Sequence, residues 1–266
     1  MQKINLELKK HNVKLGQECP YYEPNVTEDS LFYFQDKIVG FYLKNLPERT
    51  KQLLELANFE LLSDRVPKSE MSRMTGDGKD EKTGKFQYKN VVLQCSTIIG
   101  SIPPKPHMKR PYPSISSIHQ KPTAKNFIKA MTLLAKEGEG LIKKYMPEQY
   151  ELQKQILSKT DEKWRFSDLF TSSISNYNIS ANYHQDVRNL KNTVNLIFTK
   201  RKNSSGGALN VPDYGITAEQ SDCSLLVYPA WQNIHGVTKI IPIDKEKEYY
   251  RNSLIFYPLS SFEKLS

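Results

Sequence analysis

The spacing of hydrophobic and polar positions divides the chain into two parts near residue 163. The first part mixes segments of helical period with strand-like apolar runs. Pro47 and Thr123 stand at the starts of two helical segments, where proline is tolerated in the first turn and threonine can cap the helix. The predicted elements are strands at 36–45 and 91–100 and helices at 47–59, 123–145 and 147–157. They predict a mixed support layer of helices and strands over residues 1–163.

From residue 164 onward, the pattern changes to short strand-like segments separated by turns that contain glycine or proline. Such segments lie at 178–183, 192–199, 208–211, 224–228, 231–238 and 250–257. Many short antiparallel strands with such turns are typical of a double-sheet jelly roll. We therefore predict a mixed α/β (α+β) fold, in which a double-stranded β-helix (jelly-roll) core at 164–266 is braced by helices. The whole chain, 1–266, is predicted to form a single domain.

Composition narrows the class of protein. No apolar run reaches the roughly 18 residues that a membrane-spanning helix needs, and residues 1–10 lack the apolar core of a signal peptide. The three cysteines are odd in number and widely spaced, which favours free thiols in a reducing compartment over a disulfide frame. We therefore expect a cytoplasmic protein that is a monomer and has no membrane partner.

The net charge of +9 is concentrated in two acid-free stretches. Residues 82–136 carry ten Lys or Arg and no Asp or Glu, and residues 187–212 carry five more. Such asymmetry favours a nucleic-acid partner, with a solvated basic face as the alternative. Five prolines in 101–113 stiffen a basic loop that could hold a phosphate backbone. The predicted backbone contacts are Arg73, Lys105, Lys109, Arg110, Lys200, Arg201 and Lys202.

The candidate chemistry lies on three of the predicted strands. His184-x-Asp186 and His235 supply two imidazoles and a carboxylate, the ligand set that holds Fe(II) on one face and leaves the other positions open. Arg251-x-Ser253 follows and can hold the carboxylate of an organic acid. A His-x-Asp motif alone is a weak signal, and either histidine could be structural. The combination of the three segments, in this order, favours an iron-dependent oxygenase.

The C-terminal third resembles the Fe(II)/2-oxoglutarate dioxygenases, and within them the TET/JBP branch, which oxidises the methyl group of 5-methylpyrimidines in nucleic acid. The matching segments are His184-x-Asp186-x-x-Asn189, Gly206-Gly207-Ala208-Leu209 with Val211-Pro212, His235-x-Val237-Thr238, and Arg251-x-Ser253-Leu254-x-Phe256-Tyr257. Residues 66–119 are similar to proteins encoded by bacteriophages, in which case the compartment would be the host cytoplasm.

The resemblance implies Fe(II), 2-oxoglutarate and O2 as cofactors and DNA as the partner. It assigns the metal to His184, Asp186 and His235, the cosubstrate to Arg251 and Ser253, and a flipped base to Asn189 and Tyr257. The favoured reaction converts 5-methylcytosine to 5-hydroxymethylcytosine, and the alternative converts thymine to 5-hydroxymethyluracil. A histidine that follows the stacking tyrosine in animal TET enzymes is missing after Tyr257, which leaves the choice of base open.

Three other classes of protein share parts of this pattern. A protein hydroxylase acting on prolyl or lysyl residues would use the same chemistry, but the basic, acid-free segment argues against it. A non-catalytic nucleic-acid-binding jelly-roll module would have no reason to keep all five metal and cosubstrate positions. A cupin with another metal would not need the Arg-x-Ser pair.

Overall fold

Two main β-sheets, a two-stranded ribbon and three α-helices form the framework of the part of the chain that the structure, a computed structural model, describes: residues 1–70, 94–106 and 109–263. The helices are α1 (Glu48–Leu62), α2 (Lys125–Tyr145) and α3 (Pro147–Ser158). The strands are β1 (Gln2–Asn5), β2 (Ser30–Phe34), β3 (Lys37–Leu43), β4 (Ser69–Glu70), β5 (Cys95–Ile102), β6 (Ser114–Ile115), β7 (Ser172–Tyr177), β8 (Ala181–His184), β9 (Asn195–Lys202), β10 (Ser204–Gly206), β11 (Leu209–Val211), β12 (Ile216–Ala218), β13 (Ser224–Tyr228), β14 (His235–Val237), β15 (Ile240–Pro242) and β16 (Tyr250–Tyr257).

The larger sheet contains strands from both ends of the chain. Its order is β1-β2-β3-β13-β9-β16-β7-β5-β4, with β6 paired to β5. Strands from both sides of the predicted boundary at residue 163 therefore share one sheet. The smaller sheet has the order β12-β11-β14-β8, and β10 and β15 form a separate ribbon.

Strand alternation gives the larger sheet two different faces, because successive side chains of a strand point to opposite sides. On β13, Leu225 and Val227 belong to the apolar cluster that contains the buried faces of the three helices. Leu226 and Tyr228, between and after them, belong to a second cluster that includes Val211 of the smaller sheet. The helices thus cover one face of the larger sheet, and the smaller sheet covers the other.

The helices lie close to their predicted bounds, with one difference at a helix start. Thr123 does not cap α2, because its hydroxyl donates to the carbonyl of Arg65 and residues 122–124 form a short 3-10 turn. The helix begins at Lys125 instead, and its apolar stripe includes Phe127, Met131 and Leu134. Within the described part of the chain, no helix combines the length and apolar character needed to cross a membrane.

The strands around the candidate chemistry are shorter than predicted. Residues 231–238 yield only β14, since Trp231 leaves the strand path and its indole N–H donates to the carbonyl of Thr193. Residues 178–183 yield β8 from Ala181 onward, because Asn178 adopts a left-handed backbone with φ of 54°. The predicted strand at 91–100 is present as β5, and residues 91–93 lie outside the described residues.

Gln153 ties helix α3 to the larger sheet through its side-chain amide. It is fully buried, its oxygen accepts from the Val194 N–H at 2.8 Å, and its nitrogen donates to the carbonyls of Leu169 and Val194. We expect Gln153→Leu to lower the free energy of unfolding by about 1–3 kcal/mol, because it leaves buried backbone groups without partners at similar volume. Denaturant unfolding measures the change. Gln155→Leu, on the exposed face of the same helix, is the matched control, and an equal loss in both variants would contradict the assignment.

Candidate functional site

A cavity of about 460 Å³ lies between the two sheets. Its lining comes from β7, β9, β13 and β16 of the larger sheet and from β8, β11 and β14 of the smaller one. The loop that follows β8 closes part of its rim. All seven residues predicted to bind the metal, the cosubstrate or the base line this cavity: His184, Asp186, Asn189, His235, Arg251, Ser253 and Tyr257.

The two histidines face one another across paired strands. His184 of β8 and His235 of β14 are direct partners in the antiparallel register, and their ring centroids lie 4.3 Å apart. In each ring, Nδ1 hydrogen-bonds the backbone carbonyl two residues earlier, at 2.8 Å from Asn182 and 3.0 Å from Asn233. A carbonyl only accepts, so Nδ1 carries the proton and Nε2 is left as the free ligand atom.

Asp186 completes a group that could hold one metal ion. The ligand atoms of His184, Asp186 and His235 all lie within 4.8 Å of one another, and Asp186 Oδ1 is 3.7 Å from His184 Nε2. Burial is the main influence that lowers the pKa of His235 to about 4, aided by the neighbouring His184. Its ring is therefore neutral at neutral pH, which is the form that binds metals.

Two asparagines hold the other oxygen of Asp186. The side-chain amides of Asn189 and Asn195 each donate to Oδ2 at 3.4 Å, and Asn189 also donates to the Asn195 oxygen at 3.0 Å. Both asparagines are at most 5% exposed. Both N–H groups of the Asn189 side-chain amide thus donate to other residues of the protein. This argues against the predicted contact between that nitrogen and a base edge.

Arg251 places a buried positive charge in the lining of the same cavity. It is 3% exposed, its Nε has no hydrogen-bond partner, and within the described residues it forms no ion pair. Burial, followed by the nearby charge of Arg201, lowers the pKa of Arg251 to about 9, so it is still a cation at neutral pH. A carboxylate from a ligand would compensate this charge. Gly207 leaves room beside it, since an added Cβ would lie 3.3 Å from Nε.

The cavity-facing positions of β16 connect this charge to the rim. Every second residue, Arg251, Ser253, Ile255 and Tyr257, faces the cavity, and the six residue steps from Arg251 to Tyr257 span about 20 Å. Tyr257 is half-buried, and burial together with the charge of Asp186 raises the pKa of its hydroxyl. The arrangement has room for a small organic acid at Arg251, a metal ion beside it, and a planar group near Tyr257.

Three of the predicted phosphate contacts emerge at the Tyr257 end of the sheet. β5 runs parallel to β16, and Gly100 and Tyr257 both pair with Ser172. The backbone pairing of Lys105 with Arg110, at 2.6 and 3.2 Å, therefore lies beyond this end, with Lys109 exposed between them. Another predicted contact, Arg73, lies outside the described residues.

Lys200, Arg201 and Lys202 lie at the opposite end, where Lys202 pairs with Tyr250. Both lysines form ion pairs with acidic side chains from other segments: Lys200 with Asp222 and Glu55, and Lys202 with Glu248. The Arg201 guanidinium turns inward and donates to Ser204 and to the carbonyl of Gln220. These positions do not favour the predicted role of the three residues in phosphate contact.

Residues that no sequence motif indicated support the site from other strands. Gln220 accepts from the guanidinium of Arg251 at 3.3 Å and from the Thr199 hydroxyl at 2.7 Å. Asn178 accepts from the backbone N–H of Arg251, and the Tyr228 ring packs edge-on against His235 at 5.4 Å. Gln220 and Asn178 are distinguished as buried polar residues, a property that the fold shows and the local sequence does not.

Comparison with known proteins agrees with this geometry. Residues 105–259, more than half of the chain, match the family model Tet_JBP, the oxygenase domain of the 2OGFeDO superfamily. The fold is similar to that of NgTET1 in complex with 5mC DNA, with 12% identity over 97% of this chain and 85% of that chain and a TM-score of 0.59. It is also similar to a full-length Neurospora crassa protein in complex with alpha-KG, with 15% identity over 82% and 75% and a TM-score of 0.42. No curated protein sequence matches the chain. The predicted mixed α/β fold with a jelly-roll core is confirmed.

Asn195 offers a test of how Asp186 is held. We expect Asn195→Ala to weaken Mn(II) binding by about 10–100-fold, because it removes an amide that orients the carboxylate. Mn(II) titration followed by electron paramagnetic resonance measures the affinity without turnover. Asn252→Ala is the matched control, since Asn252 is equally buried but its amide donates to Asn58 on the helix side of the sheet. Equal Mn(II) affinities in the wild type and in Asn195→Ala would contradict this role.

Proposed function

The chain belongs to the Tet_JBP family of 2-oxoglutarate- and Fe(II)-dependent oxygenases, and we propose that within this family it hydroxylates the methyl group of a 5-methylpyrimidine in DNA. Its enzyme class is that of an oxidoreductase that uses Fe(II), 2-oxoglutarate and O2. We favour 5-methylcytosine as the target, which would give 5-hydroxymethylcytosine. Thymine, giving 5-hydroxymethyluracil, is the alternative.

One observation carries the choice of a DNA base. The cavity face of β16 runs from the buried charge of Arg251, past Ser253, to the half-buried ring of Tyr257, and the basic pair Lys105 and Arg110 leaves the sheet at the Tyr257 end. A cation for an organic acid lies at one end of this strand, an aromatic ring and the exposed Lys109 lie toward the other end, and the metal-binding group lines the same cavity. This arrangement fits a base that leaves the helix stack and enters the cavity while its phosphates remain outside.

The proposed metal ligands are His184 Nε2, an oxygen of Asp186 and His235 Nε2. When bound, Fe(II) and 2-oxoglutarate supply the oxidising chemistry, with O2 as the oxidant and succinate and CO2 as by-products. The protein's part is to fix the ligand atoms. The carbonyls of Asn182 and Asn233 keep the proton on Nδ1 of each ring, and the amides of Asn189 and Asn195 hold Asp186.

The proposed cosubstrate contacts begin at Arg251. Its guanidinium would pair with the distal carboxylate of 2-oxoglutarate, the hydroxyl of Ser253 would add a hydrogen bond, and Gly207 leaves space for the approach. Gln220 accepts from the guanidinium and so fixes its direction. Because the pair would lie between two sheets, water competes little with it.

Tyr257 is the proposed stacking partner of the base. An aromatic ring supports any base through its face, so stacking gives affinity without choosing between cytosine and thymine. Both N–H groups of the Asn189 amide already donate, to Asp186 and to Asn195, so this amide nitrogen offers no further donor to a base edge. The residues that follow Tyr257 are Pro258, Leu259 and Ser260, with no histidine among them.

Mass spectrometry of nucleosides tests the proposed reaction. Duplexes that carry 5-methylcytosine, and duplexes in which thymine is the sole methylpyrimidine, are incubated with the protein, Fe(II) and 2-oxoglutarate. We expect one added oxygen on 5-methylcytosine, with equimolar succinate. Asp186→Ala should abolish both products, while Asp222→Ala, an exposed acid paired with Lys200, should retain them. Oxygen gain on thymidine alone would establish the alternative, and no gain on either base would overturn the proposal.

The salt dependence of DNA binding tests the basic loop. Replacing Lys109 and Arg110 together with Gln should reduce the slope of log K against log salt by about 1–2, since each lost phosphate contact removes about 0.9. Fluorescence anisotropy at several salt concentrations measures the slope. The matched control replaces Lys200 and Lys202 with Gln at the opposite end of the sheet, where their acids already neutralise them. If the control reduces the slope and the loop variant does not, the assignment is reversed.

A further inference from the structure

We propose that Val187 is a wedge that enters the base stack of duplex DNA and occupies the gap left when the target nucleotide turns out. The proposal rests on the proposed function, because it needs a flipped base. It adds an interaction surface at the cavity rim: the exposed tip formed by Val187 and Arg188. The partner that this tip fits is a paired duplex rather than a single strand.

The first observation is an apolar side chain in water at the entrance to the cavity. Val187 is 73% exposed, and it lines the cavity. Of the large hydrophobic side chains that are exposed in residues 1–70, 94–106 and 109–263, it is the one found in this lining. Tyr112 of the proline-rich loop is similarly exposed, at 76%, but lies outside the lining. Single exposed apolar residues are common on protein surfaces, and Val187 differs from the others in its location at the cavity entrance.

The second observation is that the tip is held firmly from both sides. On one side, the amide of Gln185 donates to the carbonyls of Trp231 and Gln232 at 2.8 and 3.0 Å. On the other, the carbonyl of Arg188 accepts from both the backbone N–H and the hydroxyl of Ser260, at 2.9 and 3.0 Å. Further along, the Leu190 N–H donates to the Pro258 carbonyl at 3.0 Å. A tip fixed in this way loses little conformational entropy on binding.

The third observation is the position of the tip relative to the chemistry. Val187 directly follows Asp186, so its Cα lies about 3.8 Å from that of a proposed metal ligand. Through Arg188 and Ser260, the tip is bonded to the segment that follows Tyr257. A base that reached the metal and stacked on Tyr257 would pass this rim, and the gap that it leaves in the duplex would lie against the tip.

The chemistry of the two side chains suits such a gap. Apolar side chains of proteins that distort DNA enter between bases and replace part of the lost stacking. Valine is branched at Cβ and has few rotamers, so it can enter without losing much freedom. Arg188 beside it is exposed, forms no ion pair with any residue that the structure describes, and can reach a phosphate next to the gap.

A comparison of paired and unpaired substrates tests the wedge. Oxidation by the wild type and by Val187→Ser is measured on a duplex with 5-methylcytosine opposite guanine and on the same strand alone. We expect Val187→Ser to reduce kcat/KM on the duplex by about tenfold more than on the single strand, because only the duplex has a gap to fill. Val187→Ile, which keeps a branched apolar side chain, should have the wild-type kcat/KM on the duplex. Ile243→Ser, a 72% exposed residue in the loop before β16, is the control and should match the wild type.

A fluorescent base analogue at the target position gives a second readout that does not need turnover. With Mn(II) in place of Fe(II), the wild type should unstack the analogue in the duplex, and Val187→Ser should do so less. Equal losses on duplex and single strand, or no loss on either, would overturn the wedge while leaving the proposed reaction intact. No oxidation of any of these DNAs by the wild type would overturn the proposed function, and the wedge with it.

Discussion

The two-residue alternation of β16 is the constraint on which the rest of the structure depends. This strand pairs with β9 and β7 over most of its length, in the interior of the larger sheet. Leu254 and Phe256 point into the apolar core beneath the helices, while Arg251, Ser253 and Tyr257 point into the cavity. A slip of one residue would bury the guanidinium in the apolar core and expose leucine to the cavity. The core and the site therefore specify the same register.

Much of this could be predicted from the sequence, for physical reasons that are local. The common face of Arg251, Ser253 and Tyr257 on β16 follows from strand alternation. The His184-x-Asp186 segment lies where β8 ends, so the side chains of both residues can point into the same cavity. The cross-strand pairing of His184 and His235 could only be inferred from the resemblance to a family, because nothing in the local pattern fixes which short strands pair. The roles of Asn195 and Gln220 depend on contacts between distant segments, and their own neighbours in sequence give no sign of them.

The distribution of charge on the surface is also difficult to predict from the sequence, because it depends on contacts between distant segments. The acid-free run from 187 to 212 predicts one basic surface, yet the fold places Glu55 and Asp222 beside Lys200 and Glu248 beside Lys202. Arg201, in the middle of the run, faces inward instead. Lys109 is exposed and could meet a polyanion, because the paired residues Lys105 and Arg110 beside it lie beyond the end of the sheet. A run of basic residues in the sequence therefore predicts a positively charged surface only where no acidic residue from a distant segment pairs with it.

The uncompensated charge of Arg251 has a consequence for the lifetime of the protein. A guanidinium buried without a counter-charge raises the free energy of the folded state, and a dicarboxylate that pairs with it lowers that free energy. Binding and folding are then linked, so the population of unfolded chains falls as the concentration of the organic acid rises. On the proposed role of Arg251, 2-oxoglutarate would therefore stabilise the folded protein as well as take part in the reaction, and the folded form would persist longer where this acid is abundant.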